Sequence, residues 1–305
     1  MDRDILQHLP VVAAVARRRS FAAAAAELGL GASAVSHAVR MVEDRLGTPL
    51  FARTTRSVAL SEAGETFLAR ALPALQAIHD AAEATQALKG RVTGVLRINA
   101  PRVALPMLLV DLLHDLAGLH PDLTVEVTSE DALVDIVAGG YDAGIRLGEM
   151  IADDMVAVRL TPPFKAIMVA APAYLARAAP LETLADLEAH NRIGYRLGST
   201  GGTYAWEIRD DGKDSAVVPR GTARVTDPLF ALDLALAGVG IAYLFEPLVR
   251  HHIRAGALRW LLPDSAIEEP GLFLYFPRRA NQAPKLRAFI DAARMPAPRG
   301  RSSER

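Results

Sequence analysis

From Ser20 to Leu46 the chain carries two runs of apolar and small residues at helical spacing, parted by the glycines of "LGLG". Ser20 stands where an N-cap would open a helix through Leu28, and Gly29 ends it. A second helix is predicted from about Ala32 to Leu46, with Gly47 at the stop position just beyond it. In that helix Val35, Val39, Val42 and Leu46 recur every three or four residues and form a core stripe. Ser33, Ser36, His37 and Arg40 fall on a different face, roughly 140° away at about 100° per residue. Ala24 and Ala25 are small enough to let the two helices cross closely, as a helix-turn-helix requires. An ordinary amphipathic hairpin with a solvated polar face would show the same periods, so the next segment matters.

That segment, "LGTPLFARTTRSVAL", reads as a turn, a short strand, a basic tip and a returning strand. Arg53, Thr54, Thr55, Arg56 and Ser57 offer two cations and three hydroxyls, suited to phosphate contacts and to an arginine reaching into a minor groove. A helix-turn-helix followed by such a tip is a winged one. From Ser61 onward, Leu68, Ala71, Leu72, Leu75, Ile78, Ala82 and Thr85 keep a spacing near that of a helix that pairs with another. Leu68, Leu72, Leu75 and Ile78 are the candidate dimerisation residues, and Pro73 should bend the helix. The alternative is a helix packed on its own chain.

Beyond Val92 the pattern changes to short β-rich runs alternating with helices. "GVLRINA" is followed by a leucine-rich helix near Leu105 to Leu119, then "LTVEVTS", then "ALVDIVAGG" in the helix place, then "DAGIRLG". A second series runs through "FKAIMVAAPAYLA", "RIGYRL", "TARVT", "DPLFALDLALAG" and "GIAYLF". The strand "GLFLYF" and the helix near Leu286 are expected to return to the first series. This alternation predicts mainly parallel sheets with helices on both faces, arranged as two α/β lobes. The expected organisation is a head at 1–60, a linker helix at 61–90, a two-lobed body at 91–294 and a disordered tail at 295–305.

In open α/β sheets ligands sit beyond the carboxyl ends of strands and at helix N-termini. Here those ends carry Ala100, Pro101 and Arg102; Thr128 and Ser129; Arg146; Tyr195, Arg196 and Leu197; and Thr226 with Asp227. They should converge on the cleft between the lobes. Arginines at three ends suit a small carboxylate, although each could instead be solvated or structurally paired. Asp227 before Pro228 fits an N-cap with proline at the first helical position better than it fits a ligand contact. The loop "GSTGG" lacks the lysine and spacing of a phosphate loop.

Composition narrows the classes. The 305 residues suffice for two or three domains, and the 34 basic against 35 acidic residues leave no global field announcing nucleic acid. With no cysteine there are no disulfides, thiolate metal sites or thiol switches. No stretch reads as a signal peptide or spans a membrane, so a soluble, cytoplasmic protein is expected. No nucleophile elbow, zinc-helix motif, phosphate loop or dinucleotide fingerprint is present. His251 and His252 would point about 100° apart on a helix. No catalytic residue, metal or cofactor is expected. A solute-binding protein without a regulatory role would explain two lobes and leave the winged head unexplained.

The stretch "SFAAAAAELGLGASAVSHAVRMVEDRLGTPLFARTTRSVALSEAG" resembles the DNA-binding signature of the LysR-type transcriptional regulators over nearly its whole length. The remaining chain has the size and layout of that family's effector domain, so the resemblance covers about all of the protein. It implies that Ser33, Ser36, His37 and Arg40 face the major groove, with Arg53, Thr54, Thr55 and Arg56 on the wing. It further implies a periplasmic-binding-protein-like fold for the body, a small-molecule effector between the lobes, and linker helices paired antiparallel across a homodimer or homotetramer. The partner would be a pseudo-palindromic duplex operator, with RNA polymerase as a further candidate. Two positions depart from the family pattern. Gly31 and Ala32 stand where a serine cap and a longer polar residue are common, and His37 stands where a larger basic residue is frequent. Both departures shift sequence reading toward groove shape.

Overall fold

The computed structural model describes residues 3–53, 58–87, 91–137, 139–148, 151, 155–197, 201–278, 280 and 283–295. The chain divides into two compact units, Met1–Thr93 with Val137–Gly140, and Gly94–Ile136 with Tyr141–Arg305.

In the first unit α1 (Arg3–Arg18), α2 (Phe21–Leu28) and α3 (Ala32–Leu46) precede a hairpin of β1 (Phe51–Arg53) and β2 (Val58–Leu60), and α4 (Glu62–Ala87) follows. The helix bounds follow local capping chemistry. Ser20 Oγ accepts the Ala23 amide, and Gly29 and Gly47 close α2 and α3 in the left-handed conformation at φ 64° and 69°. Ala24, Val35, Val39 and Val42 are wholly buried with Val12 and Val15 of α1, and small Ala24 and Ala25 permit the close crossing. Outside this core, Glu27 is held by Arg17 and Arg18, and Arg45 reaches Asp4 at 3.1 Å.

Two contacts fix the wing's root to the helices. Glu43 Oε1 accepts the Leu50 amide at 2.8 Å and that of Phe51 at 3.3 Å. Ser61 Oγ donates to the Pro49 carbonyl at 2.6 Å and accepts the Gly64 amide at 3.0 Å, capping α4 while tying down the approach to β1. The helix α4 continues through Pro73, which deprives the Ala69 carbonyl of its usual partner. At 26 residues it is about 39 Å long.

The second unit holds two sheets. The first has the order β4 (Leu123–Ser129), β3 (Gly94–Ala100), β5 (Ala143–Leu147), β15 (Leu272–Pro277), β6 (Met155–Arg159). In it β3 is parallel to β4 and β5, whereas β15 is antiparallel to β5 and β6. Between β3 and β4 runs α5 (Val110–Leu119), entered through a wide π-helical turn at Leu105–Leu109. The returning strand and helix behave as expected: α9 (Pro284–Arg294) packs on β3 and α5. Its Lys285 is buried, donating to the Val95 carbonyl at 3.0 Å and paired with Asp142 at 3.0 Å.

The second sheet centres on β7 (Phe164–Ala170), antiparallel to β12 (Ala242–Phe245), β13 (Arg259–Leu261) and β14 (Ile267–Glu269). Beside it, β8 (Gly194–Tyr195) is parallel to β11 (Arg224–Val225), so this lobe is mixed rather than mainly parallel. The helices α6 (Pro172–Leu175), α7 (Pro228–Leu236) and α8 (Glu246–Arg254) accompany it. Val103, just after β3, inserts into the core of this second lobe with Val169, Leu232 and Leu244.

Two local expectations are corrected. The run "ALVDIVAGG" forms bends and turns over its described residues instead of a helix. Its neighbouring carbonyls, of Glu130 and Ala132, accept Arg146 and are therefore taken from a helical ladder. A hairpin of β9 (Trp206–Asp210) and β10 (Lys213–Val217) projects where no strand pair was expected, turning at Asp211 and Gly212 with φ 46° and 76°.

Candidate functional site

On α3 the polar face stands free of the core. Ser33, His37 and Arg40 are exposed and Ser36 is half-buried, while Val35, Ala38, Val39 and Val42 point inward. Short side chains flank one guanidinium there, leaving a smooth ridge that a groove edge can approach. Gly31 opens α3 with no side-chain cap, and its carbonyl takes the Ala34 amide at 3.0 Å. Arg53 ends β1 opposite Val58. Thr54, Thr55 and Arg56 lie outside the described residues.

The linker seam divides into two parts. Leu68 is 2% exposed and belongs to the winged-helix core, and Leu72 packs partly against the same core. Leu68 is occupied within its own chain, which corrects its placement on the pairing seam. Leu75 is half-buried, and Ile78 is 60% exposed on the same helix. Among the described residues of α4, the large apolar side chain that is exposed is Ile78, in the later part of the helix.

At the carboxyl ends of the body's strands, four side chains from the two lobes meet. Arg102, after β3, donates to Asp227 Oδ2 at 3.3 Å. Its backbone amide donates to Asp131 Oδ1 at 2.8 Å, and Tyr195 Oη donates to Asp131 Oδ2 at 3.0 Å. Asp227 also N-caps α7 through the Leu229 amide at 2.9 Å, with Pro228 at the first helical position, as expected. Burial, then the charge and hydrogen bond of Asp131, push the Tyr195 hydroxyl well above the usual phenol value, so it remains a donor.

Arg146 does not join this group. Its guanidinium is 2% exposed and donates to the carbonyls of Ile145, Glu130 and Ala132 and to Asn99 Oδ1, at 2.6 to 3.2 Å. Burial pulls its pKa below the usual guanidinium value, opposed by the charges of Tyr275, Asp131 and Glu130. Both terminal nitrogens are engaged by the protein and Nε is buried without a partner, so the guanidinium serves the local structure. Arg196 is exposed, with Nε donating to the Gly201 carbonyl at 3.3 Å. The Leu197 amide donates to Gly202 at 2.8 Å, and Thr226 is exposed. Residues 198–200 of the "GSTGG" loop lie outside the described residues. Ala100 is buried, Pro101 and Thr128 are half-buried, and the Ser129 hydroxyl is withdrawn from solvent without a hydrogen-bond partner.

Asp131 is the residue that strand-end reasoning missed. It lies two positions past the end of β4, in "SED", and its partner Arg102 is 29 residues away in sequence, so only its place just beyond a strand end was legible. Among the described residues no group of His, Asp or Glu side chains could hold a metal ion, and no helix is long and apolar enough to cross a membrane.

Comparison with known proteins accounts for both units. Residues 6–65 match the bacterial regulatory helix-turn-helix protein, lysR family, and residues 89–296 match the LysR substrate binding domain. The uncharacterized HTH-type transcriptional regulator YcaN of Escherichia coli is 38% identical over 278 residues, covering 91% of each chain. The HTH-type transcriptional regulator PgrR of the same organism is 32% identical over 291 residues, covering 95% of this chain and 97% of its own. The solved structure of CrgA, a LysR-type transcriptional regulator from Neisseria meningitidis, superposes with a TM-score of 0.60 at 26% identity, covering 94% of this chain and 97% of that one. The solute-binding alternative has no place for the matched head. The chain belongs to the LysR family of transcriptional regulators, with a helix-turn-helix DNA-binding domain and an effector-binding domain.

Proposed function

We propose that Ser33, Ser36, His37 and Arg40 read a pseudo-palindromic operator, that Arg53, Thr54, Thr55 and Arg56 hold its backbone, and that a small anionic effector between the lobes modulates binding or bending. The exposed polar ridge of α3 beside the wing supports the DNA reading. Pairing through the later part of α4, around Leu75 and Ile78, makes the chain a homodimer or a tetramer of such pairs. Two heads per dimer match two half-sites. RNA polymerase is the further partner at a promoter, and the cytoplasm is the compartment in which these partners meet.

The single observation that carries the effector reading is the position of Arg102. It is a half-exposed guanidinium at the carboxyl end of β3, facing the N-cap of α7 in the other lobe. A ligand carboxylate there would find a bidentate donor and the α7 amides. The Ser129 hydroxyl offers a further contact. Titrating the full-length chain with a panel of small carboxylates by calorimetry, beside footprints on bound genomic fragments, tests this reading. Saturable binding that alters the footprint and is lost in Arg102→Ala is the expected result. Binding confined to uncharged or cationic compounds would overturn the anionic assignment.

A further inference from the structure

Among the described residues, two side-chain hydrogen bonds that cross from one lobe to the other form a chain with shared members. Tyr195 Oη binds one oxygen of Asp131, the other Asp131 oxygen takes the Arg102 amide, and the Arg102 guanidinium reaches Asp227, the cap of α7. Arg102 Nε also lies 3.9 Å from Asp131 Oδ2. Arg102 and Asp131 belong to the sheet of β3 and β4, whereas Tyr195 and Asp227 belong to the segment of β8 and β11. Both crossing links thus pass through adjacent groups on each side.

From this geometry we propose that Arg102, Asp131, Tyr195 and Asp227 are an interlobe latch, opened when a ligand carboxylate takes Arg102 from Asp227. The proposal rests on the reading of this seam as the effector site. The Arg102, Asp131 and Asp227 side chains are 46%, 23% and 33% exposed, so the ion pairs are screened and exchangeable. One partly exposed ion pair and one neutral-to-charged hydrogen bond together shift a closed-to-open ratio by roughly tenfold. A contact of that size is reversed by a ligand with modest differential affinity, whereas a buried network would not be.

The latch has a built support. Arg146 holds the carbonyls of Glu130 and Ala132, the residues on either side of Asp131, and Asn99 Oδ1 orients its guanidinium. Arg146 is therefore a positioning residue for Asp131.

The chain has no cysteine, so two introduced thiols are unique labelling sites. Thr124→Cys on β4 and Lys213→Cys on β10 are exposed positions, one in each lobe. Spin labels there, on full-length chains diluted with unlabelled chains, report lobe separation by pulsed dipolar spectroscopy. Tyr195→Phe removes only the crossing hydroxyl, and Asp227→Asn keeps an α7 cap while removing the charge that holds Arg102. Each substitution should raise the population of longer separations a fewfold, and the double variant should raise it about tenfold. An unchanged distance distribution in the double variant overturns the latch, including when thermal stability falls. No effector is present in these measurements, so their failure counts against the latch alone, and failure of the carboxylate titration counts against the effector reading alone.

Discussion

The Leu50 carbonyl oxygen occupies the place that a Cβ on Gly64 would need. Leu50 precedes the wing and Gly64 lies in the first turn of α4, so the absence of a side chain lets the linker helix begin directly against the wing's root. The Ser61 and Glu43 hydrogen bonds hold the same junction from both sides. Gly64→Ala sets a methyl group against backbone and should destabilise the head by about 1–3 kcal/mol. Thermal melts of the full-length chain check this, with the first transition moving down.

The division of the linker seam gives two substitutions opposite signatures. Leu68→Ala empties a site in the winged-helix core and should cost about 2–5 kcal/mol of head stability. Ile78→Asp falls on an exposed position and should leave head stability within about 0.5 kcal/mol. The same charge should lower the assembly state, since an unpaired ion at an apolar seam is strongly disfavoured. Melts and light scattering on both variants separate these outcomes.

Arg146→Ala should act on folding first. It leaves the buried Asn99 Oδ1 and the half-buried Ala132 carbonyl without their donor, a loss of about 1–3 kcal/mol or more. A lowered body transition in calorimetric scans is expected, together with any change in ligand response. An unaltered body transition with lost ligand response would instead make Arg146 a ligand contact.

Legibility followed the range of the interactions. Ser20, Gly29, Gly47 and the Val35, Val39, Val42 stripe act within a few residues of chain, and the head's helices lie where those signals put them. The seam of α4 was legible as apolar, but period alone does not say what covers a face, and Leu68 is covered by its own head. Arg146 looked available because it ends a strand. Its partners Asn99, Glu130 and Ala132 lie 47, 16 and 14 residues away in sequence and gather only in the fold. The β9–β10 hairpin had a local sign in its Asp211-Gly212 turn. The meeting of Arg102 with Asp227, 125 residues apart, needed the fold; that both stand at element ends did not.

The central claim is that the α3 face reads sequence while the wing cations hold the backbone. Its most direct test is equilibrium binding of the full-length chain to genomic fragments it selects, measured across salt concentrations beside unrelated fragments. Replacing Ser36, His37 and Arg40 together by Ala should reduce the preference for selected fragments by about tenfold or more. Arg53→Ala should weaken binding to every fragment and flatten the salt slope by about one unit. Unchanged affinity, preference and salt slope in a chain carrying Arg40→Ala, Arg53→Ala and Arg56→Ala would contradict the account.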